Sequence, residues 1–107
     1  MRNRGLAKKK LGEMLDDLDW IDRAIADYQS ALTAFTREES PLEWAQTEAV
    51  LGIAALLRAD KTGARSDLEL ARDAYAAALE VYGALGEDYA SYFGGKVDDI
   101  DKRLGAK

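Results

Sequence analysis

The sequence contains no cysteine and no histidine among its 107 residues. Without cysteine it has no disulfide, no thiolate nucleophile and no zinc–sulfur site. Without histidine it lacks the commonest acid–base group near neutral pH and the commonest metal ligand. No nucleophile motif, glycine-rich phosphate loop or carboxylate pair at a defined spacing compensates for these absences. We therefore expect a protein that is not an enzyme and that needs no cofactor or metal.

Long apolar segments are also missing. No run of 18 apolar residues occurs, so we predict no membrane span. The basic start "MRNRGLAKKKLGEML" is not followed by the apolar stretch of a secretory signal. Together with the absence of disulfides, these features lead us to expect a cytoplasmic protein.

The net charge of −5 is unevenly distributed. The first ten residues contain five basic side chains and no acidic one, which leaves −10 on the remaining 97. Such an acidic body disfavours nucleic acid as the main partner. Two interpretations of the basic cluster of Arg2, Arg4 and Lys8–Lys10 remain open. Either the cluster contacts an anion or lipid headgroup, or its side chains are simply solvated.

The single proline, Pro41, marks a helix start. Ser40 is a favourable N-cap residue, and proline is well tolerated at the first helical position. Glu43 follows Ser40 at the spacing of a capping box. Because a residue before proline is pushed out of helical conformation, the preceding helix must end near Glu38–Ser40.

Apolar residues recur at steps of three and four along the chain, which predicts helices and no competing strands. We expect an all-α domain of about five helices over residues 1–107. A first hairpin covers about 4–38, with Asp19 capping its second helix, and a second hairpin covers about 40–86, with a capping box at Ser66. A terminal capping helix covers about 88–104, with a kink or a frayed start at Gly94-Gly95. The connections are short, so neighbouring helices should pack antiparallel.

The two hairpins repeat one another. "LGEML" at Leu11–Leu15 returns 40 residues later as "LGIAA" at Leu51–Ala55. "AIADYQSAL" at Ala24–Leu32 returns 47 residues later as "ARDAYAAAL" at Ala71–Leu79. The difference of seven residues corresponds to a longer loop around residues 61–65. Each unit thus has one helix with Leu-Gly and one with Ala-x-x-x-Tyr-x-x-Ala-Leu.

This unit resembles the tetratricopeptide repeat family, whose hairpins carry Leu-Gly in the first helix and alanine followed by an aromatic residue in the second. The segment "FTREESPLEWAQTEAVLG" at 35–52 also resembles the join between the longer repeats of bacterial members. The resemblance covers most of the chain. It departs from the family in its longer period and in having Lys8 and Glu48 where an aromatic residue usually precedes Leu-Gly. It implies a short α-solenoid of stacked hairpins closed by a capping helix.

The resemblance also implies a concave groove lined by the first helix of each hairpin, which binds a peptide or a partner helix. The groove residues it implies are Lys9, Glu13, Asp16, Ala49, Ile53 and Leu56. The helix that starts at Pro41 is apolar nearly all round, so an alternative is that it is only the central core helix. Glu13 and Asp16 have the wrong charge for the basic clamp with which some members hold acidic peptide ends.

Other readings remain beside this one. The main alternative function is structural, a homo-oligomer assembled through an unburied end of the array. A third hypothesis, with less support in the sequence, is attachment to a membrane or nucleic acid through the basic start. Asp98, Asp99 and Asp101 either bind a cation or form a solvated acidic face. We assign Tyr28, Tyr75 and Tyr82 to the core, and expect Trp20 to staple the first hairpin.

Overall fold

The computed structural model describes the backbone of residues 2–105 and the side chains of residues 18–105. The backbone forms four α-helices: α1 (Arg2–Ala34), α2 (Pro41–Thr62), α3 (Arg65–Tyr82) and α4 (Glu87–Gly105). A 3₁₀ turn over Gly83–Leu85 joins α3 to α4. These described residues contain no β-strand. The all-α class is therefore confirmed, with four helices in place of the five expected.

Helix α1 is continuous where the sequence had led us to expect a hairpin. The predicted break at Asp19 is absent, and the single helix of 33 residues is about 50 Å long. Neither glycine nor proline occurs between residues 13 and 40, so nothing in the sequence forces the chain to reverse. Asp19 instead pairs with Arg23 one turn later, at 3.1 Å, which favours an uninterrupted helix.

The start of α2 follows the sequence prediction, whereas α1 ends at Ala34, four residues before the expected end near Glu38–Ser40. The Ser40 N–H donates to the Thr36 carbonyl at 2.8 Å, which closes the turn between the helices. Ser40 is the N-cap and Pro41 the first residue of α2. The Ser40 side chain, however, makes no capping hydrogen bond. Its carbonyl instead accepts the Trp44 N–H at 2.8 Å.

Helix α2 ends at Gly63, whose φ of 71° lies in the left-handed region that glycine adopts without strain. The Gly63 N–H donates to the Ala59 carbonyl. Helix α3 then begins at Arg65 with Ala64 as its N-cap, so the capping box expected at Ser66 is wrong. Residue 66 already lies inside the first turn.

A buried polar network holds this turn. Asp67 is 7% exposed and accepts hydrogen bonds from Arg58 Nε at 2.9 Å and from Thr62 Oγ1 at 2.7 Å. The same Arg58 guanidinium donates to Asp22 of α1 at 2.7 Å. The hydrogen bond to Asp22 is the largest effect on the Arg58 pKa and raises it, and the hydrogen bond to Asp67 acts in the same direction. Together with the nearby carboxylate charges they outweigh partial burial, which lowers that pKa. The network therefore ties α1, α2 and α3 together at one end.

Each helix packs antiparallel against the next one in the chain, and α2 and α3 share two apolar clusters. The first cluster joins α1, α2 and α3 through Ile21, Ile25, Leu51, Ala54 and Ala74. The second joins α2, α3 and α4 through Ala55, Ala71, Tyr75, Ala78, Phe93, Val97 and Ile100. As a result α2 and α4 lie side by side and run in the same direction.

Helix α4 runs through Gly94 and Gly95 as one α-helix, so the frayed start expected there is absent. The burial of Phe93, Val97 and Ile100 against α3 supplies the stability that two mid-helix glycines remove. Among the described residues, no helix is both long and apolar enough to cross a bilayer.

Candidate functional site

A shallow groove lies between α2 and α4. It consists of two adjoining depressions that share Tyr92. The first, of about 470 Å³, lies between Ala49 and the start of α4. The second, of about 280 Å³, lies farther along α2 beside Ile53, Leu56 and Leu57. We call the two together the α2–α4 groove.

The walls of the α2–α4 groove are large apolar side chains that the fold leaves half exposed. On α2, Ile53 is 46% and Leu57 45% exposed. On α4, Tyr89 is 48% and Tyr92 51% exposed. Single exposed apolar residues are ordinary, but four facing one groove form a patch of the kind that marks an interaction site.

An aromatic cluster fixes the shape of the groove. The Tyr82 ring stacks on Phe93 at 5.2 Å and on Tyr89 at 5.3 Å between centroids. The Tyr92 ring meets Phe93 edge-on at 5.0 Å. Tyr75 lies beneath, and its burial raises the pKa of the phenol to about 12, so it is neutral at physiological pH. Because these rings already pack against one another, the groove is formed before any ligand arrives.

Three charged side chains line the groove: Asp88 in the first depression, and Asp60 and Lys96 in the second. Asp88 lies at the end that Tyr89 lines. Lys96 places its ammonium 5.5 Å from the centre of the Tyr92 ring, a cation–π geometry. At the far end Arg103 of α4 pairs with Asp60 of α2 at 2.9 Å. This ion pair bridges the two helices and bounds the groove there.

Three of the residues expected to form a groove line it. Ala49 borders the first depression, and Ile53 and Leu56 border the second. Lys9, Glu13 and Asp16 belong to α1 but lie outside the residues whose side chains the structure describes.

Tyr89 and Tyr92 were not expected in the groove. Tyr89 begins the apolar stripe that continues through Phe93, Val97, Ile100 and Leu104 and predicts core positions, whereas in the structure it is half exposed. Tyr92 lies off that stripe, and an aromatic residue on the polar side of an amphipathic helix is a signal that could have identified it.

A second exposed apolar surface lies on α1, and we call it the Trp20 face. Trp20, Ala24 and Tyr28 follow one another at single-turn spacing and border a depression of about 350 Å³ with Arg23 and Asp27. Trp20 is 68% exposed and staples no hairpin, since α1 does not turn back. Tyr28 and Tyr82, both expected in the core, are only partly buried, and of the three tyrosines only Tyr75 is fully so.

The one described carboxyl group with a raised pKa lies outside the groove lining. Burial, reinforced by the nearby charges of Asp73 and Glu80, raises the pKa of Glu48 to about 6. Asp98, Asp99 and Asp101 are exposed, and Asp101 accepts a hydrogen bond from Arg72 Nε at 2.6 Å. Within the described part of the chain, no set of three acidic side chains is arranged to hold a metal ion.

No protein-family model, no curated protein and no solved structure matches the chain.

Proposed function

We propose that this protein is a non-enzymatic binding module that holds a peptide or a partner helix in the α2–α4 groove. One observation carries the proposal: Ile53, Leu57, Tyr89 and Tyr92 remain half exposed around one preformed apolar groove. Covering such side chains contributes about 25 cal/mol for each Å² of apolar surface removed from water, before the entropic costs of association are subtracted.

The chemistry of the groove favours an amphipathic ligand. An apolar floor with a few charges in its lining suits a segment whose large apolar side chains recur on one side. Asp88 and the charge of −10 outside the first ten residues favour a basic residue at the Asp88 end, whereas Lys96 disfavours one in the second depression. We infer a short amphipathic peptide with apolar anchors and a basic residue at the Asp88 end.

The tetratricopeptide-like pattern of the sequence supports the same proposal. In that family the first helices of successive hairpins line the binding groove, and α2 with the equivalent α4 would occupy those places. The pairing of Leu51-Gly52 with Tyr75 is consistent with the family's hairpin. Under this proposal the α2 residues Ala49, Ile53 and Leu56 contact the ligand, and α4 contributes Tyr89 and Tyr92.

A peptide-display selection against the pure protein tests the proposal, because a random peptide library can be screened without the natural partner. Selected peptides would be measured by fluorescence anisotropy against the wild type and against Ile53→Glu. A charge in the groove should weaken binding at least about 10-fold, equivalent to about 1.4 kcal/mol. Trp20→Glu is the matched control, since Trp20 is also large, apolar and exposed but lies on α1.

The two variants make the result decisive once circular dichroism shows that both retain their helices. Loss of binding in Ile53→Glu with retention in Trp20→Glu supports the α2–α4 groove. Equal binding to wild type and Ile53→Glu, or a selection that yields only peptides sensitive to Trp20→Glu, overturns it.

A further inference from the structure

The seam between α2 and α4 is wider than that of two directly packed helices. Between these two fully described helices, no Cα atom of one comes within 8 Å of a Cα atom of the other. Direct packing sets helix axes about 8–10 Å apart, which brings the nearest Cα atoms to within about 6 Å. Only side chains close the gap: Tyr92 reaches both depressions, and Arg103 bridges to Asp60. The α2–α4 groove therefore has room for a further element above this seam.

Helix α3 shows which kind of element this pair of helices accepts. It packs against both α2 and α4 from below the groove and runs antiparallel to them. Its buried face consists mainly of Ala71, Ala74, Tyr75 and Ala78, at steps of three and four residues. The pair of α2 and α4 thus already holds an antiparallel amphipathic helix on one side. A second helix on the open side would meet the same two neighbours.

Two charged side chains of the groove lining make no ion pair with any described residue. Asp88 lies in the first turn of α4 and borders the first depression. Lys96 lines the second depression, and its ammonium lies over the Tyr92 ring rather than beside a carboxylate. The third lining charge, Asp60, is already paired with Arg103. One anion and one cation therefore remain for a ligand to match.

Asp88 and Lys96 can contact one ligand at the same time. They are eight positions apart on the continuous helix α4. That spacing corresponds to about 12 Å along the helix axis and about 80° around it, so both lie on one side of α4. Tyr92 lies midway between them and belongs to both depressions. A helical ligand spans the same 12 Å with two of its own residues that are also about eight positions apart.

We propose that the occupant of the α2–α4 groove is an amphipathic helix that runs antiparallel to α2 and α4. An acidic residue near its amino end contacts Lys96, and a basic residue about eight positions later contacts Asp88. The inference rests on the proposed function and specifies the ligand's conformation, direction and charge order.

The antiparallel direction follows from the charges and the helix dipoles. Acidic side chains stabilise the amino end of a helix, and basic side chains stabilise its carboxyl end. A ligand helix with that charge order matches Lys96 and Asp88 only when its amino end lies in the second depression. Its dipole then opposes those of α2 and α4, which run in the same direction as each other. A parallel ligand would need the opposite charge order, which its own dipole disfavours.

Two synthetic peptides of identical composition test the charge order. Both carry leucine anchors at steps of three and four residues on a helix of alanine and glutamine. In the first peptide a glutamate precedes a lysine at the spacing of Asp88 and Lys96, and in the second these two residues are exchanged. The protein should bind the first at least about 5-fold more tightly in fluorescence anisotropy, because the exchange turns two attractions into repulsions. Equal affinities, or tighter binding of the second peptide, overturn the proposal.

Two protein variants separate charge matching from the helicity of the free peptides, which also favours the first one. In Asp88→Asn/Lys96→Gln the ratio of the two affinities should fall at least about 3-fold. Asp98→Asn/Lys102→Gln is the matched control, since these residues are exposed on α4 but do not line the groove. It should leave the ratio unchanged. A ratio that is the same in both variants overturns the proposal.

A proline tests the helical conformation of the ligand. Replacing an outward-facing alanine in the middle of the first peptide by proline should weaken binding at least about 10-fold, because proline interrupts a helix. Unchanged binding would mean an extended ligand. Failure of the proposed function has a different signature, which is display-selected peptides that are insensitive to Ile53→Glu. If those peptides depend on Ile53 and neither synthetic peptide binds, only the helical inference is overturned.

Discussion

The two repeats of this chain carry the same packing residues and yet adopt different structures. In the second repeat Tyr75 follows Gly52 by 23 positions, and the chain reverses at Gly63 so that the two meet. In the first repeat Tyr28 follows Gly12 by only 16 positions, and the helix continues without a turn. The comparison shows that complementary packing residues specify a hairpin only when the sequence between them also specifies a reversal.

The largest effect expected from this comparison concerns the two equivalent tyrosines. Tyr75→Ala should lower the free energy of unfolding by about 3–5 kcal/mol, because it removes a fully buried ring. Tyr28→Ala should cost about 1–2 kcal/mol, since its ring is only partly buried. Urea denaturation measures both. Equal costs for Tyr28→Ala and Tyr75→Ala would mean that the two repeats are packed alike, contrary to the structure.

The second effect concerns the reversal itself. Asp67→Asn should lower stability by about 2–3 kcal/mol, because it leaves the Arg58 guanidinium without its buried carboxylate partner. The matched variant in the first repeat is Asp19→Asn, whose ion pair with Arg23 is well exposed. It should change stability by less than about 0.5 kcal/mol. A similar loss for both variants, measured by urea denaturation at pH 7, would show that Asp67 does not hold the turn.

The third effect concerns close approach between helices. Gly52→Ala places a methyl group 3.1 Å from the Tyr75 ring, which is held between α2 and Phe93. We expect a loss of about 1–2 kcal/mol, since overpacking outweighs the gain in helix propensity. Gly94→Ala is the control, because nothing lies within 4 Å of its added Cβ. That variant should be stabilised by up to about 1 kcal/mol in thermal denaturation, and the prediction fails if both substitutions shift stability in the same direction.

The smallest effect is pH-dependent and arises between α2 and α3. Glu48 has a pKa of about 6 in the folded protein against 4.5 for the free side chain, so the folded state binds the proton more tightly. Stability should therefore rise as pH falls through 6 towards 4.5, and the charged form destabilises the fold above pH 6. Glu48→Gln should stabilise the protein by about 1 kcal/mol at pH 7.5, allowing for partial solvent screening.

The advantage of Glu48→Gln should shrink below pH 6 and largely vanish near pH 4.5, where Glu48 of the wild type is itself protonated. Glu43→Gln, at an exposed position of the same helix, is the control. A stability difference between wild type and Glu48→Gln that stays constant from pH 4 to pH 8 would contradict the assigned pKa.

The all-α fold class and much of the second repeat can be predicted from the sequence, because the helix start and stop residues of that repeat agree with its packing residues. Pro41 starts α2, and Gly52 lies against Tyr75 as the repeat pattern indicates. The prediction for the first repeat is wrong because Asp19 fits an N-cap, although aspartate also fits a helix interior when Arg23 follows one turn later. The hydrogen bonds of the capping boxes are not predictable from spacing alone, since both depend on the backbone geometry of the turns.

The candidate site can be predicted only in part, because it depends on how two helices lie relative to one another. Ile53 and Leu56 stand out since α2 is apolar nearly all round, and they line the groove. Tyr92 cannot be placed until α4 is known to lie beside α2. Whether Lys9, Glu13 and Asp16 take part in binding stays a prediction.

The ion pair between Asp60 and Arg103 gives the α2–α4 groove a fixed length and two unlike ends. From Ala49 to Asp60 the α2 wall is about 16 Å long. A wall of that length matches about eleven residues of a helical ligand or about five residues of an extended one. One end is marked by the carboxylate of Asp88 and the other by a closed pair. A ligand that fills the groove is therefore limited in length, and the unlike ends favour one orientation of its chain.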